Sequence, residues 1–101
     1  MPKGITVISP TSGQLKELDV DHWSPWSCEP SSFDWSYDGT ETCYVLKGKV
    51  KVETDDGVAE INAGDLVQFE DGLSCRWIVE EPIRKVFSFD VGPLTPNNTD
   101  R

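Results

Sequence analysis

The sequence predicts a small all-β domain, and three observations support this. Short runs of alternating apolar and polar residues recur along the chain, glycines and prolines (eight and seven) cluster between them, and no stretch shows the pattern of a long helix. At 101 residues the chain can bury one core but not two, so we expect a single domain. These features are typical of a small β-barrel or double sheet.

The strongest strand signals lie between Asp38 and Trp77. Residues 42–52 form the longest strand pattern, interrupted at Gly48, where we expect a bulge or bend. Asp55, Asp56 and Gly57 then predict a hairpin turn that leads into a strand over residues 58–61.

The segments before this stretch are less regular. Residues 5–8 are rich in β-branched side chains and predict a first strand, whereas residues 15–20 fit either a strand or a brief helical turn. Residues 22–30 read as irregular because two prolines interrupt them. Within that segment, Trp23 and Trp26 need apolar cover, either as a roof over one end of the barrel or at a subunit interface.

Aromatic side chains alternate with polar ones over residues 32–37, which predicts a strand with Phe33, Trp35 and Tyr37 on one face. Cys75 and Trp77 share a face of a later strand, and residues 83–91 read as a separate last strand. We therefore divide the chain into an N-terminal strand and interface segment (1–22), a barrel (23–92) and a polar tail (93–101).

Charge and composition narrow the possible partners. The formal net charge of -9 argues against a nucleic-acid partner, since no basic patch offsets the repulsion of phosphates. No apolar run has membrane-spanning length, and no signal segment opens the chain, so we expect no membrane partner and a cytoplasmic location. An organelle such as the plastid is the alternative if a transit peptide has been removed.

Two groups of residues resemble the conserved motifs of the cupin family. Residues 41–50 resemble the first motif, and residues 63–67 with 71–72 resemble the second. Residues 33–77, with residues 81–85 after them, are typical of the small single-domain branch related to the cupin domain of (S)-ureidoglycine aminohydrolase, and the resemblance covers residues 23–92. This resemblance implies a double-stranded β-helix, the RmlC-like jelly-roll barrel, and a homodimer.

The resemblance also indicates where a cupin would hold a metal ion. The histidines of the first motif fall at Trp35 and Tyr37, the histidine of the second falls at Cys75, and only Glu41 keeps its usual identity. A catalytic metal site needs about three imidazoles and a carboxylate, and the chain has a single histidine, His22, before the barrel. We predict no metal cofactor, although Glu41 and Cys75 could hold a divalent ion weakly.

If the barrel register follows the family, six side chains line one cavity. This cavity suits a small planar or amphipathic ligand, although the same aromatic rings could simply fill a small barrel. The predicted ligand-binding residues are Trp35, Tyr37, Glu41, Cys43, Cys75 and Trp77.

Glu41 and Tyr37 are the candidate catalytic residues. A carboxylate in an apolar cavity must be paired or have a raised pKa, and a raised pKa suits a general acid or base. The predicted partners of Glu41 are Tyr37 or a residue such as Arg84, while a half-solvated Glu41 at a strand start is the alternative. Cys43 and Cys75 fit a reactive pair, a disulfide or inert buried thiols, and inert packing is favoured because no base is near.

Three functions follow from these readings. The first is a small-molecule-binding cupin that lacks the usual metal ligands and has metal-independent acid/base activity. The second is a metal-dependent enzyme resembling ureidoglycine aminohydrolase, which the missing ligands argue against. The third is a non-catalytic dimeric module.

Overall fold

Two long antiparallel strands, β4 (Glu41–Thr54) and β7 (Ser74–Ser88), form the centre of the computed structural model, which describes residues 2–94. Shorter strands pair on either side of them. In chain order the remaining elements are β1 (Ile5–Ile8), α1 (Ser12–Glu17), a 3-10 turn (Val20–His22), β2 (Ser24–Cys28), β3 (Ser31–Ser36), β5 (Gly57–Asn62) and β6 (Leu66–Phe69).

The central pair takes part in two layers of strands. The first half of β4 and the second half of β7 lie in a layer with the order β1-β6-β4-β7-β2. The second half of β4 and the first half of β7 lie in a layer with the order β5-β4-β7-β3. The two layers enclose the core, which is the arrangement of a cupin jelly-roll barrel.

The chain passes from one layer to the other at a bend in the central pair. The register between β4 and β7 shifts repeatedly from Val45 to Val50, which marks bulges. Gly48 lies inside this region with a φ of +100°, a conformation that residues with a side chain rarely adopt. The bend predicted at this glycine is therefore confirmed.

The core follows from the alternation along the strands. Buried apolar side chains alternate with more exposed residues along β5, the second half of β4 and most of β7, whereas all four residues of β6 are buried. The largest fully buried side chains include Val45, Val50, Val52, Ile61, Leu66, Val67, Phe69 and Ile83.

Several sequence predictions agree with these elements. The first strand over residues 5–8 is present as β1, and the hairpin at Asp55–Gly57 joins β4 to β5. The segment that fitted either a strand or a helical turn contains α1, which begins earlier, at Ser12. A capping box explains this start, because the Thr11 hydroxyl accepts from the Gln14 backbone and the Gln14 side chain accepts from the Thr11 backbone.

Two predictions were wrong. Residues 22–30 are not irregular, because they contain β2, which pairs with β7. Pro25 is tolerated there since β2 lies at the edge of its layer, where an N–H is not needed on the outer side. Residues 83–91 do not form a separate strand: β7 runs without a break from Ser74 to Ser88.

The end of the predicted polar tail, residues 95–101, lies outside the described residues. The preceding residues are held by Gln68, whose side chain donates to the Gly92 carbonyl at 2.9 Å and accepts from the Leu94 backbone at 3.0 Å. Among residues 2–94, no helix is long and apolar enough to cross a membrane.

Candidate functional site

A cavity of about 280 Å³ opens into the barrel, and its wall is almost entirely aromatic. Its volume is close to the lower limit of small-molecule sites, roughly 300–1,000 Å³. Trp35 and Phe89 are about half exposed (51% and 52%) and lie on its rim. The lining residues are Trp26, Phe33, Trp35, Tyr37, Glu41, Trp77, Lys85, Phe87 and Phe89.

Strand register brings the rings of the wall together. Phe33 of β3 lies opposite Trp77 of β7, and Trp26 of β2 lies opposite Lys85 further along the same strand. The Phe33 and Trp77 rings are nearly parallel, with centroids 6.2 Å apart, whereas Trp26 meets Trp77 edge to face at 5.9 Å. Such contacts hold large rings in fixed positions around the cavity.

The two charged residues in this wall form an ion pair. Lys85 Nζ lies 2.6 Å from Glu41 Oε2, and the residues are only 5% and 6% exposed. Removing two charges from water costs several kcal/mol for each ion, so the pair depends on close contact and on further favourable surroundings.

Aromatic rings supply those surroundings for the Lys85 ammonium group. Lys85 Nζ lies 4.8 Å from the centroid of Trp77, 5.2 Å from that of Trp26 and 5.7 Å from that of Phe87. The negative faces of aromatic rings attract a cation at such distances. One carboxylate and three rings therefore stabilise this cation inside the barrel.

Tyr37 is held rigidly beside this pair. Its ring stacks on Phe69 with centroids 4.7 Å apart, and its backbone donates to the Leu73 carbonyl and accepts from the Gly72 amide. The Trp77 indole N–H donates to the Tyr37 hydroxyl oxygen at 3.1 Å. Burial, followed by the negative charge of Glu41, raises the pKa of Tyr37 far above its usual value, so the phenol keeps its proton.

The two buried cysteines lie next to the cavity but do not line it. Burial raises the pKa of the Cys43 thiol to about 12, and burial likewise raises the pKa of the Cys75 thiol to about 11. Cys75 borders a separate surface groove beside Asp34 and Arg76. Neither forms a disulfide, and such raised values keep a thiol protonated and unreactive near neutral pH.

The residues present do not fit the metal ion that a typical cupin holds. Lys85, itself a cation, occupies the space next to Glu41, the one retained ligand position. The positions of the missing histidines carry an exposed indole at Trp35, a protonated phenol at Tyr37 and a protonated thiol at Cys75. Within the described part of the chain, no group of three or more His, Cys, Asp or Glu side chains could hold a metal ion.

The structure thus brings four of the six predicted ligand-binding residues to one cavity: Trp35, Tyr37, Glu41 and Trp77. Neither predicted partner of Glu41 pairs with it: the Tyr37 hydroxyl is bonded to Trp77, and Arg84 is exposed. The ion pair is made by Lys85, the residue after Arg84. Sequence reasoning missed Lys85 although the alternation of Ile83 and Phe87 places it on the inward face. It also missed Phe33, Phe87 and Phe89 as lining residues, and it expected Trp26 over one end of the barrel or at an interface, not in the cavity wall.

Comparison with known proteins gives the family. Residues 15–87 match the model of the EutQ-like cupin domain, and the chain belongs to this family. The crystal structure of a DUF861-family protein from Thermotoga maritima is similar to it with a TM-score of 0.82. The two are 51% identical, and the match covers 84% of this chain and 98% of that one.

Two further solved structures are similar over part of the chain. A DUF1255 protein of unknown function from Acidithiobacillus ferrooxidans is 28% identical, with a TM-score of 0.59 over 61% of this chain and 60% of that one. The EutQ protein of Clostridium difficile is 21% identical, with a TM-score of 0.59 over 62% of this chain and 50% of that one, which supports the fold alone.

A search of the curated proteins found no significant match. The comparisons confirm the predicted cupin fold. They do not confirm the narrower resemblance to the ureidoglycine aminohydrolase branch.

Proposed function

We propose that this cupin domain binds a small, flat and largely apolar molecule in the aromatic cavity, and that Glu41 carries out acid/base chemistry on it without a metal ion while Tyr37 donates a hydrogen bond. The observation that carries the proposal is the buried Glu41–Lys85 pair in the cavity wall. Replacing a buried ion pair by well-packed apolar residues is often neutral or stabilising, so packing alone does not explain such a pair.

The aromatic wall of the cavity favours a planar and largely apolar ligand. Seven of its nine lining residues are aromatic, which suits a planar molecule that packs between rings. The polar groups lie close together, because the charge of Glu41 acts on Tyr37 and Lys85 contacts Glu41 directly. The ligand would therefore carry its polar atoms at one end.

Fluorescence titration tests the binding. Trp26, Trp35 and Trp77 line the cavity, so a ligand that enters it should quench tryptophan emission with saturation. We expect members of a panel of small neutral aromatic compounds to bind the purified protein, and Glu41→Gln to weaken that binding. Glu80→Gln is the matched control, because Glu80 pairs with Lys51 outside the cavity.

Elemental mass spectrometry of untagged protein tests whether the site holds no metal ion. We expect Fe, Mn, Ni and Zn each to be far below one ion per chain. Stoichiometric metal that disappears in Glu41→Gln would overturn the proposal and favour the metal-dependent enzyme. A folded Glu41→Gln protein that binds the same compounds as well as the original would remove Glu41 from the site.

A further inference from the structure

Three polar groups of the cavity wall have bonding capacity that the protein does not use. Tyr37 accepts a hydrogen bond from Trp77, but no group among residues 2–94 accepts one from its hydroxyl, although the residue is only 5% exposed. Within the same residues, Glu41 Oε2 binds Lys85 while no group donates to Oε1. Lys85 donates one of its three hydrogens to Glu41. Buried polar groups with unused capacity are costly, so they indicate a ligand.

The kinds of group left unused define the polar end of that ligand. The Tyr37 hydroxyl and the Lys85 ammonium are donors that both lie against the Trp77 indole, so together they suit one oxygen acceptor. Glu41 Oε1 is an acceptor next to them and suits a hydrogen of the ligand. A carbonyl oxygen with a hydrogen-bearing atom beside it has this combination.

Charge selects a neutral ligand over an ionic one. Glu41 and Lys85 neutralise each other inside the cavity, so a ligand carboxylate would face the free Glu41 oxygen, and a ligand ammonium would face Lys85. The formal charge of -9 on the whole chain also opposes the approach of anions. A neutral carbonyl compound meets neither penalty.

We propose that the site catalyses proton transfer at a carbon next to the carbonyl group of a small, flat, neutral ligand, with Lys85 and Tyr37 binding the oxygen. Glu41 Oε1 takes the proton from that carbon, and the electrons of the broken C–H bond form a carbon–carbon double bond. The carbonyl electrons move onto oxygen, where the two donors stabilise the enolate. If the proton on Glu41 is first replaced by one from solvent, reprotonation of the same carbon gives isotope exchange, whereas protonation of another carbon gives an isomer.

The step needs no oxidant, reductant or second substrate, because it begins and ends with the same atoms. Donors aimed at a developing negative oxygen in a water-excluded cavity are among the strongest catalytic devices in proteins. The raised pKa of Tyr37 keeps its proton in place as a donor. This inference rests on the proposed function, since it names the ligand class and the reaction of the same cavity.

Indan-2-one in deuterated buffer is a suitable probe, because it is flat and neutral and has exchangeable hydrogens beside its carbonyl. Proton NMR would follow their replacement by deuterium, and tryptophan quenching in the same samples would report binding. Indane, the same ring system without the oxygen, is the matched ligand. We expect indan-2-one to bind about tenfold more tightly, because only it satisfies the buried donors.

The variants separate the three roles. We expect Glu41→Gln to lower the exchange rate on the order of a hundredfold or more, as loss of a general base does. Lys85→Met should lower it to a similar degree, and Tyr37→Phe about tenfold, with weaker binding of indan-2-one but not of indane. Lys51→Met removes an exposed lysine and should leave the rate unchanged, which controls for surface amines.

Each outcome supports or overturns a distinct claim. Exchange above the buffer rate that depends on Glu41 supports the inference. Saturable binding of indan-2-one and indane with equal affinity, or binding without exchange, overturns it and leaves the proposed function standing. Failure of every flat compound in the panel, these two included, to quench the tryptophans overturns the proposed function itself. The comparison of indan-2-one with indane uses the unaltered protein. It therefore tests the inference even if a variant does not fold.

Discussion

Lys85 Nζ donates a 2.6 Å hydrogen bond to Glu41 Oε2, and both residues are almost completely withdrawn from water. The residues belong to β7 and β4, the two strands that hold the barrel together. The pair therefore contributes to the site and to the centre of the fold, and each role makes a separate prediction.

A double-mutant cycle measures how much the Glu41–Lys85 pair contributes to the free energy of unfolding. Lys85→Met alone should lower the free energy of unfolding by about 3–5 kcal/mol, because it leaves the Glu41 charge buried without a partner. Glu41→Leu alone should also destabilise the protein, whereas the double variant should regain most of the loss. Urea denaturation followed by far-ultraviolet circular dichroism gives the three values.

The partly exposed pair Lys51–Glu80, at 3.5 Å, is the control for this cycle. The corresponding variants Lys51→Met and Glu80→Leu should reveal a coupling of at most about 1 kcal/mol, as is usual for surface ion pairs. Equal coupling energies for the two pairs would mean that the Glu41–Lys85 pair is hydrated in solution.

The sequence predicts most of this fold because local patterns suffice for it. Alternation along the strands and the turn glycines define the strands around β4, and strand parity places Trp35, Tyr37, Glu41 and Trp77 toward one cavity. Strand parity predicts which face of the sheet a side chain lies on, but not whether the side chain reaches the surface of the cavity. For that reason Cys43 was expected at the cavity surface and lies behind it.

The remainder of the site depends on pairing between distant segments. Trp26 reaches the cavity because β2 pairs with β7, and the prolines of that segment hide the strand. Lys85 is charged, so the usual preference for apolar inward residues argues against its position. Its burial becomes understandable only when Glu41 of β4 and Trp26 of β2, which come from other parts of the chain, meet it beside the rings of Trp77 and Phe87 on its own strand.

Gly48 should be the most sensitive glycine of the barrel. An added Cβ would lie 2.3 Å from the Pro82 carbonyl oxygen and 2.7 Å from Ile83 Cα, so β7 would have to move. We expect Gly48→Ala to lower the free energy of unfolding by about 3 kcal/mol or more, from the positive φ and the clash together. Thermal or urea denaturation measures the loss.

A substitution at Gly64 separates the effect of the positive φ from the effect of the clash with β7. Its φ of +94° is similar, but an added Cβ would have no atom within 4 Å. Gly64→Ala should therefore cost only about 1–2 kcal/mol, the cost of the left-handed conformation alone. Similar losses for the two alanine variants would show that the close approach of Gly48 to β7 is relaxed in solution.

Because of Cys43, we expect the free energy of unfolding to fall as the pH rises into the alkaline range. Burial is the main cause that raises the pKa of its thiol to about 12, with smaller and opposite effects from Lys85 and Glu41. In the unfolded chain the thiol has its ordinary pKa near 9. Between these two values the folded protein binds a proton that the unfolded chain has lost.

The sign of the pH effect follows from this difference in bound protons. Stability from the buried thiol is complete below about pH 9 and is lost as the pH rises toward 12, at about 1.4 kcal/mol per pH unit. Urea denaturation at a series of pH values, with a reductant present, should therefore show a decline over this range.

Cys43→Ala should have a shallower decline above pH 9 than Cys28→Ala, which removes a half-buried thiol from β2. A decline should persist in Cys43→Ala because burial also raises the pKa of Cys75, to about 11, and the pKa of Tyr37. Identical slopes for the two alanine variants would mean that the Cys43 thiol ionises in the folded protein as readily as in the unfolded chain.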